Sequence, residues 1–195
     1  MEIIHYPHPT LRHRSKPVRQ LDAELHRIVA QMFELMYAAK GIGLAANQVD
    51  LPLRLFIANL KSDPQEGEEL VFINPVITRP KGSAQAEEGC LSLPGVYAPV
   101  TRPATVRVQA YNLAGELFDA TVSDLLGRVI QHETDHLDGV LFIDRLTDAH
   151  REEIAEELEG FEIEFREQRA RGAVPTDEAI RAQLSEWEEK YCQPV

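Results

Sequence analysis

Residues 132 to 136 read His-Glu-Thr-Asp-His, inside a stretch whose apolar residues recur at the 3.6-residue period of an α-helix. Histidines at i and i+4 stand one above the other on a helical face, close enough to share one divalent cation, and the glutamate between them can reach a water beside it. At about 100° per residue, Leu125, Leu126, Val129, Ile130, His132, Glu133, His136 and Leu137 share a sector roughly 160° wide. Gly127, Arg128, Gln131, Thr134 and Asp135 fall on the other side. Two imidazoles and a carboxylate on a core-facing stripe are costly unless something coordinates or hydrogen-bonds them. The pattern therefore predicts a metal-binding helix, with Ser123 as its N-cap and Gly139 as its stop.

A chain of 195 residues, 44% of them hydrophobic, can bury one good core, so a single enzyme-sized domain is the expectation. The net charge of −12 argues against a broad or sequence-specific nucleic-acid surface. The amino terminus lacks the basic and apolar segments of a signal peptide, and no apolar run approaches membrane length, which reads as a soluble cytoplasmic protein. In that setting Cys90 and Cys192 are not expected to pair, and Cys192 reads as an incidental thiol.

Leu21, Leu25, Ile28, Val29, Met32, Phe33 and Met36 predict a first helix over 22–39, with Gly41 as its stop. Runs rich in β-branched and aromatic residues predict strands over 53–59, 70–78, 105–112 and 117–122, with a hairpin turn at 112–115 and an exposed loop at 61–69. Beyond about Thr147 the chain turns highly charged: a helix, a break at 171–175, then a second short helical stretch.

An H-E-x-x-H helix supplies two ligands, and the third decides the chemistry. Position 142 is phenylalanine, which excludes a histidine six residues beyond the second one. Glu152, Glu153, Glu156 and Glu157 remain candidates, as in a thermolysin-like protease. Cys90, 42 residues before His132 and flanked by Gly89, is the competing candidate, since a thiolate binds borderline metals tightly. Gly41-Ile42-Gly43-Leu44-Ala45-Ala46-Asn47-Gln48 superficially matches a dinucleotide fingerprint, but it follows a helix rather than a strand, which excludes that reading.

Taken together, 41–48, 87–92 and 131–139 resemble the peptide deformylases in order and spacing, and the likeness extends over roughly residues 1–150 from the opening Tyr-Pro-His-Pro-Thr-Leu-Arg. The resemblance implies an α+β fold, mixed or antiparallel sheets packed around a central metal-binding helix, with a C-terminal helix. It implies a catalytic domain over 1–150 and a charged, mostly helical extension over 151–195. The substrate would be the N-formylmethionyl end of a new polypeptide and the products formate and a free amino terminus. Cys90, His132 and His136 would hold one divalent metal, Fe(II) by family habit, although zinc, nickel or cobalt suit the same donors. Glu133 would serve as general base and acid, and Gln48 with the Leu91 amide would stabilise the oxyanion. Asn47 stands where threonine or proline is more usual in the family.

Ile42, Gly43, Gly89, Leu125 and Val129 are assigned as substrate contacts, Leu125 and Val129 being readable equally as core. A structural zinc module is the non-enzymatic alternative, and it would need a fourth protein ligand. Residues 151–195 carry 13 acidic and 6 basic side chains, so a basic ribosome-docking helix is not expected. Arg166, Arg169 and Arg171 could make a small, transient phosphate contact with the ribosome. The extension otherwise reads as a solvated charged helix whose removal near Gly172 should spare peptide hydrolysis.

Overall fold

The computed structural model describes residues 1–193. Asp22 caps α1 (Ala23–Ala38), its carboxylate accepting Leu25 N–H at 2.8 Å. Leu25, Ile28, Val29, Met32, Phe33 and Met36 form its buried stripe. The helix ends through Lys40, which takes the left-handed conformation at φ 56°. Gly41 has a different reason to be glycine: a Cβ there would lie 2.6 Å from a methyl carbon of Leu91.

Five antiparallel strands follow in the spatial order β1 (Gly43–Ala45), β2 (Leu55–Ala58), β3 (Leu70–Lys81), β6 (Thr105–Tyr111) and β7 (Leu117–Ser123). Alternation along β2 assigns the two faces: Leu55 and Ile57 join the cluster against α1, while Phe56 and Ala58 join one with Val129, Ile130 and Leu137 of α2 (Asp124–Leu137). A strand buried on both faces reads as an unbroken apolar run, as Leu-Phe-Ile-Ala does. The predicted turn is present, with Gly115 at φ 79° donating to the Asn112 carbonyl.

A second sheet is present where no strand was expected. β4 (Ala84–Cys90) and β5 (Leu93–Arg102) form a two-stranded antiparallel hairpin. β4 reads Ala-Gln-Ala-Glu-Glu-Gly-Cys and β5 contains Pro94 and Pro99, so neither advertises strand propensity. Cross-strand pairing, and the burial of Leu93, Val96, Ala98 and Val100 against Phe142, Ile143, Ile154 and Leu158, override it.

Three further expectations are corrected. Ser123 occupies the N-cap position of α2, but its hydroxyl donates to the Asp124 carboxylate at 2.7 Å instead of capping. Gly127, Gln131 and Thr134, placed on the solvent side of the helical wheel, are buried, and Leu125, placed on the core side, is 50% exposed. The wheel assumed one partner face. α2 instead packs on the sheet with one side and bonds to the β4–β5 hairpin with another.

The C-terminal part is α3 (Asp148–Glu153), α4 (Ala155–Ala170) and α5 (Asp177–Tyr191). It is no solvated appendage. Tyr191 is fully buried in the α1 cluster, with Trp187 packed on it and its hydroxyl donating to Asp22 at 3.2 Å. Cys192 is half-buried, its thiol donating to the Lys16 carbonyl at 3.6 Å, and burial pushes its pKa up to about 11. Tyr191→Ala is expected to destabilise the protein by about 3 kcal/mol, the scale of a large aromatic deletion in a core, read as a lower urea midpoint. Ending the chain near Gly172 should lower the melting temperature markedly, since it removes α5 whole.

Candidate metal centre

Three elements bring the site together. α2 presents His132, Glu133 and His136, the end of β4 presents Cys90, and a 3-10 turn at Ala46–Val49 presents Gln48. Cys90 Sγ lies 3.2 Å from His136 Nε2, which lies 3.2 Å from His132 Nε2. Among the described residues no fourth histidine, cysteine or carboxylate joins this cluster, whose ligand atoms all lie within 4.8 Å of one another. Glu152, Glu153, Glu156 and Glu157 are exposed on α3 and α4 and take no part.

The donor set fits a divalent cation. His132 Nδ1 bonds to Glu88 Oε2 at 3.0 Å, which assigns the proton to Nδ1 and leaves the Nε2 lone pair aimed into the cluster. Burial holds His136 well below the ordinary imidazole pKa, with the charges on His132 and Arg102 acting in the same direction, so it is a neutral donor. For His132, burial opposes protonation, but hydrogen bonds to Cys90 and Glu88 prevail and push its pKa up to about 10. A cation held by Nε2 would take the place of that second proton. Two imidazoles and one cysteine suit zinc, iron, nickel and cobalt alike.

Glu88 anchors this arrangement. Its buried carboxylate accepts from Arg102 Nε at 2.6 Å and Nη2 at 2.8 Å, and from Arg128 Nη1 at 2.6 Å, besides His132. Burial opposes its charge, yet these bonds hold its pKa far below the usual carboxylate range. Arg102 also donates to Asp135 Oδ2 at 2.7 Å. Neither Glu88, Arg102 nor Asp135 was assigned a role from sequence. The adjacent acids Glu87 and Glu88 in the cysteine segment were the available signal, and a matching arginine could not be chosen without knowing that β5 pairs with β4.

Glu133 is buried beside the cluster. Burial pushes its pKa up to about 7 against the pull of His132 and Arg102, and its Oε2 has no partner. Gln48 Oε1 accepts Ala45 N–H at 2.8 Å, which turns Nε2 toward Cys90 Sγ at 3.4 Å and Ser92 Oγ at 3.2 Å. Asn47 donates through Nδ2 to the His136 carbonyl, tying the Gln48 turn to the end of α2.

A cleft of about 700 Å³ opens onto the cluster. Ile42, Gly43, Gly89, Leu91, Leu125 and Val129 all line it, so every residue assigned to substrate contact from sequence reaches one space. Val129 is also core, whereas Leu125 stands at the cleft alone. A Cβ at Gly43 would collide with the Glu133 carboxylate, and one at Gly89 would lie 2.5 Å from the Tyr97 ring.

The Glu88 network yields a test. Glu88→Ala leaves the buried Arg102 and the half-buried Arg128 without their shared anion and is expected to cost about 3 kcal/mol, the scale of a broken buried ion pair, measured by chemical denaturation.

The family model for polypeptide deformylases matches residues 1–152. A peptide deformylase of Rhodopirellula baltica is 44% identical over 191 residues, covering 98% of this chain and 95% of the relative. Peptide deformylase 1B of Arabidopsis thaliana, named chloroplastic/mitochondrial, is 42% identical over 93% of this chain and 66% of the relative. The crystal structure of Arabidopsis thaliana peptide deformylase 1B with an inhibitor is similar at a TM-score of 0.83 and 43% identity, over 91% of this chain and 97% of that one. That of Plasmodium falciparum peptide deformylase is similar at 0.81 and 37%, over 87% and 98%. With this much of its length matched in sequence and in fold, the chain belongs to the peptide deformylase family of enzymes.

Proposed function

We propose that the protein removes the formyl group from the N-terminal formylmethionine of newly made polypeptides, releasing formate, with one divalent metal held by Cys90, His132 and His136. The convergence of these three donors beside a buried, unpartnered Glu133 oxygen is the observation that carries the assignment. A cation bound there supplies Lewis acidity toward a water and toward the formyl oxygen. Fe(II) is the metal proposed, by family likeness, and α2 is then the central metal-binding helix of the fold.

Glu133 takes the proton of the attacking water and returns it to the departing amine. A carboxylate with a pKa near 7 is suited to both halves of that transfer at neutral pH. Gln48 Nε2 and the Leu91 N–H are the donors for the oxyanion, each worth about 3 kcal/mol where charge develops.

The cleft runs between two unpaired strand edges, β1 at the end of the five-stranded sheet and β4 in its two-stranded one. An extended peptide entering there can pair with both by strand addition. Leu125 and Val129, together with Ile42, form the apolar wall for a methionine side chain. Gly43 and Gly89 let the chain approach closely.

Residues 1–150 are then the catalytic unit and 151–195 the extension, whose described part, through residue 193, is mostly helical and packs on it. Contact with the ribosome, if made, is transient and local. Arg169, central to the basic trio, is engaged with Asp177 and with the Phe165 ring 5.0 Å away. Among the described residues no helix is long and apolar enough to cross a membrane. A cytoplasmic location, where newly made chains are met, is part of the same proposal.

Three variants test the assignment through formate release from a formyl-Met peptide and metal analysis of anaerobically purified protein. Cys90→Ala should lose most of its metal; stoichiometric metal would refute the third ligand. Glu133→Ala should keep metal and lose about 10²-fold or more in activity. Gln48→Leu should keep metal and lose roughly 10²- to 10³-fold in kcat, whereas a change confined to KM would make Gln48 a ground-state contact.

A further inference from the structure

Gln48 occupies a four-residue 3-10 turn, an element with too few and too poorly aligned hydrogen bonds to fix its own position. Its place is set from outside. The Gln48 carbonyl accepts Ile4 N–H at 2.9 Å, and Tyr6 N–H donates to the Ser92 carbonyl, also at 2.9 Å, one residue beyond Leu91. The N-terminal segment thus spans both proposed oxyanion donors.

The turn closes on Asp50, a non-glycine residue in the left-handed region at φ 62° and ψ 32°. Such a backbone state persists where the surroundings dictate it. Asp50 Oδ1 accepts the hydroxyl of buried Thr10, and Oδ2 accepts Gln183 Nε2 at 2.9 Å from α5. From α4, Glu162 accepts the Tyr6 hydroxyl at 2.9 Å, and Phe165 meets the His8 ring edge-on at 6.0 Å. The helices after residue 153 therefore grip the N-terminal segment and the turn that carries Gln48.

We propose that the C-terminal extension is a positioning element for catalysis, acting on Gln48 through the Thr10–Asp50–Gln183 junction. Asp50 and Gln183 touch no reacting atom, so they are positioning residues, and the inference rests on the role proposed for Gln48. An amide displaced by a fraction of an ångström from developing charge loses much of its effect, because preorganisation is what makes such donors productive.

The test uses the full-length, metal-loaded enzyme and steady-state hydrolysis of a formyl-Met peptide. Asp50→Gly removes the carboxylate while tolerating the left-handed backbone, and Gln183→Leu removes the α5 arm at the surface. Each is expected to lower kcat about three- to tenfold with KM within about twofold and metal content unchanged. Asp50→Asn, which can still accept from Thr10, should recover most of the loss. In a Gln48→Leu background neither substitution should lower kcat further, whereas a general structural role would lower it equally in both. Equal losses in both backgrounds, losses that follow metal content, or unchanged kcat in both single variants would overturn the proposal. If Gln48→Leu itself leaves kcat intact, the oxyanion role falls and this inference with it; if Gln48→Leu is impaired but Asp50→Gly and Gln183→Leu are silent, only the positioning inference falls.

Discussion

The Glu88 carboxylate accepts hydrogen bonds from Arg102, Arg128 and His132 while the residue is only 6% exposed. A charge so placed costs several kcal/mol in desolvation unless its partners all arrive together. Those partners come from β5 and from two turns of α2. Docking of the hairpin on the helix and orientation of His132 are therefore one event. The fold cannot loosen at that junction without stranding buried charge, and the cluster cannot lose its geometry while the junction holds.

The same network explains why α2 is buried on more than one side. Its apolar residues Val129, Ile130 and Leu137 meet the sheet. Asp135 and Arg128, on another side, are neutralised by the hairpin and its surroundings: Asp135 receives Arg102 and Arg145, and Arg128 also donates to the Val100 carbonyl at 3.1 Å and the Ala84 carbonyl at 2.8 Å. Three of the five N–H donors of Arg128 are thereby occupied. The residue lines the cleft while its charge is held by the scaffold.

This geometry sets the limit of what the sequence could disclose. α1, four strands of the larger sheet and the H-E-x-x-H helix were legible because their apolar residues follow a period that one chemical rule decodes. β4 and β5 were not, since Ala-Gln-Ala-Glu-Glu-Gly carries no alternation and its strand form is dictated by a partner. Cys90, His132, His136 and Gln48 could be named from motifs, but their supporting residues could not. Arg102 and Asp135 are polar residues whose identities become meaningful only once β5 is paired and α2 is seen to have a second buried side. Likewise α5 read as a charged surface helix because Ile180, Leu184 and Tyr191 are few among its acids, yet they suffice to seat it.

The glycines of the cleft separate two uses of that residue. Gly41, Gly43 and Gly89 all lie outside the left-handed region, so conformational freedom does not account for them. Each instead leaves room for a specific neighbour: Leu91, Glu133 and Tyr97 respectively. A side chain at Gly43 would displace the carboxylate proposed as base, and one at Gly41 would push Leu91, whose amide is proposed to face the oxyanion. At these motif positions a glycine is a statement about distance. The backbone of β1 can approach α2 because nothing projects between them at Gly43, and that closeness helps three elements, none of which carries the full chemistry, share one cleft.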